Sequence, residues 1–329
     1  MPNRRDVLTF GCFSLAGGAL TLRGAFAQPK YPDHSIKLVI PFAPGGATDA
    51  IARPWAEKMK ALLGPVFIEN QGGAGGLLAA AAVARANPDG YTLLLGSAGQ
   101  VLISTAGNNA PYDPLKDLEP ISILALSAMT IAVHPSLPTA NLRELIDYAR
   151  SSSGTLSYGS SGVSTMSHLA GELFKSLTGI TGIVAIPYKG GGPLIADLIS
   201  GHIPIAVTSV NGQVLQLHEA GKLRMLAVTA PTRIIAAPDV LTAVEAGLPG
   251  MIAQSFFGLF APAGTPKTIV EQIADATQSA MADDGLRQKL IGSGFEPHLD
   301  SSPQGARRFV EEEVGRWIPI IKGIGSKLE

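Results

Sequence analysis

The chain passes from a strand to a helix within the segment Ile36-Lys37-Leu38-Val39-Ile40-Pro41-Phe42-Ala43-Pro44-Gly45-Gly46-Ala47-Thr48-Asp49. The β-branched run at its start is typical of a buried strand, and the apolar spacing from Thr48 to Leu63 is typical of a helix. The glycine pair between them allows several backbone N–H groups to point at one spot, and a helix N-terminus adds about half a positive charge. This corner therefore predicts a site for an anion.

The same alternation of strands and helices runs through most of the chain. Further strands are predicted at 65–69, 91–95, 155–158, 183–187, 203–208 and 223–229. Further helices are predicted at 75–86, 166–177 and 194–200. Asn141, with Glu144 three residues later, has the spacing of a capping box and predicts another helix start. Alternation of this kind indicates an α/β fold in which helices cover parallel strands.

The length and order of these elements indicate two lobes. Without its first 27 residues the chain retains about 300, enough for two lobes of about 150 residues each. The last third returns to helices after an aromatic strand at 254–261, as expected for lobes joined by crossing strands. We expect lobe 1 to comprise residues 28–133 and 257–329, and lobe 2 to comprise residues 134–256.

The N-terminal segment has the pattern of an export signal. Arg4 and Arg5 precede an uncharged run from Val7 to Leu22, and the small-x-small triplet Ala25-Phe26-Ala27 follows. We expect cleavage after Ala27 and a periplasmic location. The paired arginines favour the twin-arginine route, with the general secretory route as the alternative. A membrane anchor is disfavoured because a spanning helix needs about 20 strongly apolar residues.

Composition excludes several classes of protein. A content of 46% hydrophobic and 16% charged residues is too apolar for a disordered chain. The net charge of −1 falls to about −3 without the signal segment, so no nucleic-acid partner is expected. The single cysteine, Cys12, lies in that segment, which excludes thiol catalysis in the mature chain. The histidines lack metal-binding spacing and there is no phosphate loop, so we expect neither metal nor cofactor.

Three more loops follow predicted strands and carry glycine or hydroxyl groups. They are Gly96-Ser97-Ala98-Gly99-Gln100, Gly159-Ser160-Ser161-Gly162-Val163-Ser164-Thr165 and Tyr188-Lys189-Gly190-Gly191-Gly192-Pro193. In open α/β sheets, ligands bind beyond the carboxyl ends of the strands, where these loops lie. Hydroxyl groups can donate to carboxylate oxygens without adding formal charge. Each loop alone is more typical of a structural turn, and together they are equally consistent with structural turns and with one shared site.

Seven motifs in order along the chain resemble a known family. They are Pro41 to Asp49, Glu69 to Gly76, Asn87 to Leu93, Tyr158 to Gly162 with His168 to Glu172, Pro187 to Gly190, Ala220 to Arg224, and Ala261 to Pro266. The chain resembles the extracytoplasmic receptors of the tripartite tricarboxylate transporter family, often called Bug receptors. The resemblance implies a type II periplasmic binding fold, or Venus flytrap, with two βα lobes, crossing strands and a central cleft for organic acids. It also implies that backbone amides, hydroxyls and ordered waters of the corners at Pro41–Asp49 and Gly159–Thr165 hold the ligand carboxylates.

Three positions depart from the pattern of that family. Its members usually carry Asp or Asn after a Met-Phe pair where this chain reads Val207-Thr208-Ser209-Val210-Asn211. Phe256 replaces a tryptophan, and Pro54 lies inside the predicted first helix, where it removes a backbone donor. The resemblance therefore leaves the identity of the ligand open.

These arguments predict one set of ligand-binding residues and no catalytic residue. The set is Phe42, Ala43, Gly45, Gly46, Thr48, Asp49, Ser97, Gln100, Ser160, Ser161, Gly162, Ser164, Thr165, His168, Lys189, Gly190 and Asn211. Within it, Gln100 and Asn211 are expected to choose the ligand, while the corners hold its carboxylate. Asp49 is equally consistent with helix capping. His168 is more typical of a structural histidine, and Lys189 is more typical of a solvated lysine.

The sequence therefore predicts a monomeric solute receptor that is not an enzyme. It would capture a small mono- or dicarboxylate and deliver it to membrane permease subunits. One alternative is a periplasmic hydrolase that uses Ser161 or Ser164 with His168. Another is a sensor subunit that presents its ligand to a histidine kinase.

Overall fold

A computed structural model describes residues 31–42, 44–103, 110–152, 156–163, 165–300 and 302–324. The expected signal peptide, residues 1–27, lies outside the described residues, as do the site candidates Ala43 and Ser164. Within the described ranges, the chain forms a mixed α/β structure. No helix in those ranges is both long enough and apolar enough to span a membrane.

The first half of the chain forms the elements up to the long strand β4. They are β1 (Ile36–Ile40), α1 (Ala47–Leu62), β2 (Val66–Asn70), a 3-10 turn (Ala74–Gly76), α2 (Leu77–Ala84), β3 (Thr92–Ser97), a π turn (Gly99–Ile103) and β4 (Leu118–Val133). The predicted order of strands and helices is confirmed here. Pro54 lies inside α1, which nevertheless runs as one helix through that position.

The second half resumes the alternation and ends in helices. Its elements are α3 (Leu142–Ser151), β5 (Leu156–Ser160), α4 (Met166–Thr178), β6 (Ile183–Pro187), α5 (Gly191–Ile199), β7 (Ile205–Ser209), α6 (Gly212–Glu219), β8 (Arg224–Val228), β9 (Gln254–Pro262), α7 (Lys267–Met281), α8 (Asp284–Gly292), β10 (Glu296–Pro297) and α9 (Pro303–Ile324). The predicted cap of α3 is confirmed, because the Glu144 N–H donates to Asn141 Oδ1 at 2.9 Å. Ser160, expected in a loop, belongs to β5.

All strands join one curled sheet in which β4 is shared by two groups. The order is β2-β1-β3-β9-β4-β7-β5-β6, and β8 and β10 also pair with β4. Strands β1 to β3 are parallel to one another, as are β5 to β7. Residues 118–128 of β4 pair with β9, residues 129–133 pair with β7, and residues 130–133 pair with β8. Strand β4 thus crosses from one parallel group to the other.

The register of the strands on β4 makes the carboxyl ends of the two parallel groups, β1 to β3 and β5 to β7, face each other. Ser97, at the end of β3, is level with Phe257, which is level with Ala125 of β4. Ser209, at the end of β7, is level with Met129 of β4. Because β7 runs opposite to β4 and β3 runs with it, the two ends meet about 13 Å apart along β4. The loops that follow these strands therefore open toward a common space.

Buried apolar side chains fix the helices on the sheet. Trp55 and Met59 of α1 are at most 1% exposed and belong to the cluster around β1 and β3. Trp317 of α9 is fully buried in the cluster that includes β4 and α4. Burial of each such side chain stabilises the fold by about 1.5 to 3 kcal/mol. The first turns of α1 and α4 are consequently held beside the carboxyl ends of the strands.

Candidate functional site

The first corner presents the start of α1. Gly46 precedes the helix with extended backbone, at φ −83° and ψ −178°, and no side chain caps it. The helix begins when the Ala50 N–H donates to the Gly46 carbonyl at 3.1 Å. The first N–H groups of a helix have no acceptor within it. Gly45 and Gly46, which lead into the helix, are exposed, so the positive end of the helix dipole is open to the approach of an anion.

Asp49 braces this corner from within. Its carboxylate accepts hydrogen bonds from Arg53 Nε at 2.6 Å, Arg53 Nη2 at 3.1 Å, the Gly45 N–H at 3.0 Å and Asn70 Nδ2 at 3.3 Å. Burial acts to raise the pKa of the Asp49 carboxyl, but these hydrogen bonds outweigh it and hold the pKa below its ordinary value. The carboxylate is thus committed to the loop and to Arg53, which favours a capping and bracing role over a ligand contact.

The β2 end supports the same corner and was absent from the predicted set. Asn70 Nδ2 also donates to the Phe42 carbonyl at 2.9 Å. In the loop that follows, Gly73, Ala74, Gly75 and Gly76 all have positive φ, of 135°, 48°, 64° and 91°. A left-handed alanine is strained by about 1 to 2 kcal/mol, and such strain often marks a functional loop. The run Glu69-Asn70-Gln71-Gly72-Gly73-Ala74-Gly75-Gly76 carried that signal in the sequence.

Gln100 connects this loop to the end of β3. Its Oε1 accepts from the Ser97 N–H and the Ser97 hydroxyl, both at 2.8 Å, and its Nε2 donates to the Gly75 carbonyl at 2.6 Å. The side chain is fully buried. Gln100 therefore has the contacts of a residue that positions the loop, rather than those of one that projects toward a ligand.

The second corner is shaped by its own hydroxyl groups. The Thr165 hydroxyl donates to the Gly162 carbonyl at 2.8 Å, and the same oxygen accepts from the His168 N–H at 3.4 Å, capping α4. Ser167 Oγ accepts from the Ser161 N–H at 2.7 Å. Gly162 has a φ of +133°, and a Cβ there would lie 3.1 Å from the Tyr188 carbonyl oxygen. These bonds fix the turn that leads into the start of α4.

His168 and Ser160 lie beneath this corner rather than in the open cleft. Both residues are at least 96% buried, and neither His168 Nδ1 nor Ser160 Oγ has a hydrogen-bond partner among the residues that the structure describes. Burial lowers the pKa of the His168 imidazole, although the nearby Glu172 carboxylate acts in the other direction. Among the described residues, no serine or threonine hydroxyl bonds to the His168 ring. The pairing that a hydrolase needs is not seen in that part of the chain.

The remaining predicted residues lie in the loops and first helical turns that follow β1, β6 and β7. The Gly190 N–H donates to the Ser161 carbonyl at 3.1 Å, which ties the third loop to the second corner, and Lys189 beside it is exposed. Asn211 caps α6, because its Oδ1 accepts from the Val214 N–H at 3.0 Å. Thr48, in the first turn of α1, is 2% exposed. No group of metal-ligating side chains is found within the described ranges.

A cavity of about 400 Å³ extends from the first corner along α1. We call it the α1 cavity. It is lined by Gly45, Gly46, Asp49, Ala50, Arg53, Pro54, Lys289 and Ser293. Pro54 has no N–H to donate, so the Ala50 carbonyl, four residues earlier, lacks its helical partner here. The cavity therefore extends from the first corner to a wall that is formed by Lys289 and Ser293 at the end of α8.

Comparison with known proteins agrees with this geometry. The model of the "Tripartite tricarboxylate transporter family receptor" matches residues 51–326. The solved structure of the periplasmic binding protein BugD is 33% identical, covers 90% of this chain and 99% of its own, and superposes with a TM-score of 0.80.

Two further solved structures contain bound acids. MatC from Rhodopseudomonas palustris, with bound malate, is 32% identical over 88% of this chain and 100% of its own, with a TM-score of 0.80. Rpa4515 from R. palustris, with adipate, is 35% identical over 90% of this chain and 98% of its own, with a TM-score of 0.81. This chain therefore belongs to the receptors of the tripartite tricarboxylate transporter family and has their periplasmic binding protein fold.

Proposed function

We propose that this receptor captures a small organic carboxylate between its two helix-start corners. The observation that carries the proposal is the register of β4, which sets the ends of β3 and β7 opposite each other. Each corner presents an N-terminal helix turn, at Gly46 and at Thr165. Amide donors and helix dipoles of this kind stabilise a carboxylate without a fixed cation. The acids bound by MatC and Rpa4515 support the same ligand class.

The same arrangement supports a receptor with two lobes that close over the ligand. We assign residues 28–133 and 257–329 to lobe 1, and residues 134–256 to lobe 2. The crossing strands β4 and β9 connect them. Closure would exclude water and strengthen each hydrogen bond to the bound acid. Such a receptor binds its ligand without converting it.

Export and delivery complete the proposed function. The N-terminal segment would direct the chain to the periplasm, by the twin-arginine route, and be removed after Ala27. There the closed, monomeric receptor would deliver its acid to permease subunits of a tripartite tricarboxylate transporter. Family membership supports this partner.

A thermal-shift screen of organic acids tests the ligand class. At 100 times its dissociation constant, a bound acid adds about 2.7 kcal/mol to the free energy of unfolding. Malate, succinate and adipate should raise the melting temperature, and calorimetric titration should give one site per chain. Nuclear magnetic resonance of the same mixtures should show the acid unchanged after prolonged incubation. Turnover of an acid or ester would instead favour a hydrolase, and no shift with any acid would contradict the proposal.

A further inference from the structure

The α1 cavity contains donors that the fold itself does not use. Lys289 is exposed and forms no ion pair with any described residue, and no hydrogen bond occupies the Ser293 hydroxyl in that part of the chain. The negative group of the cavity is already neutralised, because Arg53 holds the Asp49 carboxylate through two nitrogens. An anion that enters the cavity therefore meets an ammonium and a hydroxyl group that no described residue pairs with.

The backbone of Lys289 is held in place, although its side chain is long. Leu286 and Leu290, on either side of it in α8, are each 1% exposed. Asp283 caps α8 by accepting the Leu286 N–H at 2.8 Å, and it pairs with Lys58 of α1 at 2.7 Å. The backbone of α8 is thus anchored to α1. The Lys289 ammonium consequently stays within reach of the cavity that begins at Gly45 and Gly46.

The same cavity adjoins the contact between the two halves of the sheet. A Cβ added at Gly212, the first residue of α6, would lie 3.5 Å from the Gly292 carbonyl oxygen and 3.9 Å from the Ser293 Cα. The wall that carries Lys289 therefore lies beside the proposed cleft. The volume of the α1 cavity, about 400 Å³, exceeds what a single carboxylate group requires.

We propose that Lys289 is a specificity-determining residue that selects dicarboxylates. This inference rests on the proposed function: one carboxylate is held between the corners at Gly46 and Thr165, and the second extends along the α1 cavity to the Lys289 ammonium. Ser293 Oγ donates to the same second carboxylate. Monocarboxylates of equal length gain nothing from this wall, because their far end carries no charge.

The test compares adipate, succinate and malate with their monoamides, which have nearly the same shape and one charge fewer. Calorimetric titration would be performed on the wild type, Lys289→Gln and the control Lys222→Gln. Lys222 is also exposed and forms no ion pair with the described residues, but it precedes β8 at the end remote from the cleft. Lys289→Gln should weaken the best dicarboxylate about fivefold, the value of one partly exposed ion pair. Its monoamide should change less than twofold, and Lys222→Gln should change neither.

The outcomes separate this inference from the proposed function. Equal losses for the diacid and its monoamide, or no loss for either, would overturn the role of Lys289 while leaving carboxylate binding intact. A wild type that prefers monoamides to diacids would also overturn it. A wild type that binds none of these acids would overturn the proposed function instead. Circular dichroism would verify that each variant is folded.

Discussion

Gly294 lies against the backbone of Asn211, so closely that a Cβ at Gly294 would stand 2.8 Å from the Asn211 Cα and 3.1 Å from its nitrogen. Gly294 also has a φ of +84°, a left-handed conformation that favours glycine. Asn211 starts α6 in one half of the sheet, and Gly294 follows α8 in the other. This contact therefore joins the two halves beside the α1 cavity.

Gly294→Ala should reduce the free energy of unfolding by about 2 to 4 kcal/mol, because left-handed strain adds to overpacking against Asn211. Urea denaturation of the ligand-free protein measures this loss of stability. Gly292→Ala is the matched control, since no atom lies within 4 Å of its added Cβ and its φ is not left-handed. It should leave stability unchanged or slightly higher, and equal losses in both variants would show that the Asn211 contact is unimportant.

Asp49→Asn should destabilise the first corner and weaken acid binding. The change removes the negative charge of the carboxylate that accepts hydrogen bonds from Arg53 and Gly45. Loss of such bonds costs about 1 to 3 kcal/mol. Because the pKa of Asp49 is lowered in the folded state, its contribution is complete above the unfolded pKa. It is lost as the pH falls through the folded pKa.

Melting temperatures of the wild type and Asp49→Asn at pH 7 and at pH 3 test this direction of the pH dependence. The melting temperature of Asp49→Asn should lie further below that of the wild type at pH 7 than at pH 3. Asp147→Asn offers a control, since Asp147 pairs with Arg143 at a far more exposed position of a helix, with its side chain 57% exposed. A difference that grows on acidification would contradict the bracing role of Asp49.

The sequence predicted the fold and the two corners because their signals are local. A strand, a glycine pair and a helix start lie within a few residues of one another. This local pattern is enough to place Gly46 at the start of a helix. The predicted site nevertheless lacked Asn70, which braces the first corner from β2, and Lys289, which lines the α1 cavity from α8. Gln100 was expected to choose the ligand, whereas its amide bonds to Ser97 and Gly75. Contacts of this kind depend on tertiary packing and leave no short-range pattern.

His168→Gln should make the protein less sensitive to mild acid. Burial lowers the pKa of the His168 imidazole below its ordinary 6.5 in the folded state, so the unfolded chain binds more protons in this range. Wild-type stability therefore falls as the pH decreases through 6.5 toward the folded pKa. Between pH 7.5 and pH 5.5, the melting temperature of His168→Gln should decline less than that of the wild type.

His202→Gln is the control for that comparison, because the His202 side chain is 74% exposed. It should retain the wild-type decline. Acid affinity at pH 7.5 should also survive His168→Gln, since the ring lies beneath the corner. A steeper decline in His168→Gln than in the wild type would show that the buried imidazole is charged.

Valine substitutions at Gly45 and Gly46 should separate backbone strain from obstruction of the ligand. Gly45 has a φ of +87°, so Gly45→Val should reduce stability by about 1 to 2 kcal/mol and also disturb binding. Gly46 has a φ of −83°, which valine adopts without strain, so Gly46→Val should remain nearly as stable as the wild type. Its side chain would instead obstruct the approach of a carboxylate to the first N–H groups of α1. We therefore expect Gly46→Val to lose nearly all affinity in calorimetric titration while its urea midpoint is unchanged, and wild-type affinity in that variant would exclude the first corner as the carboxylate site.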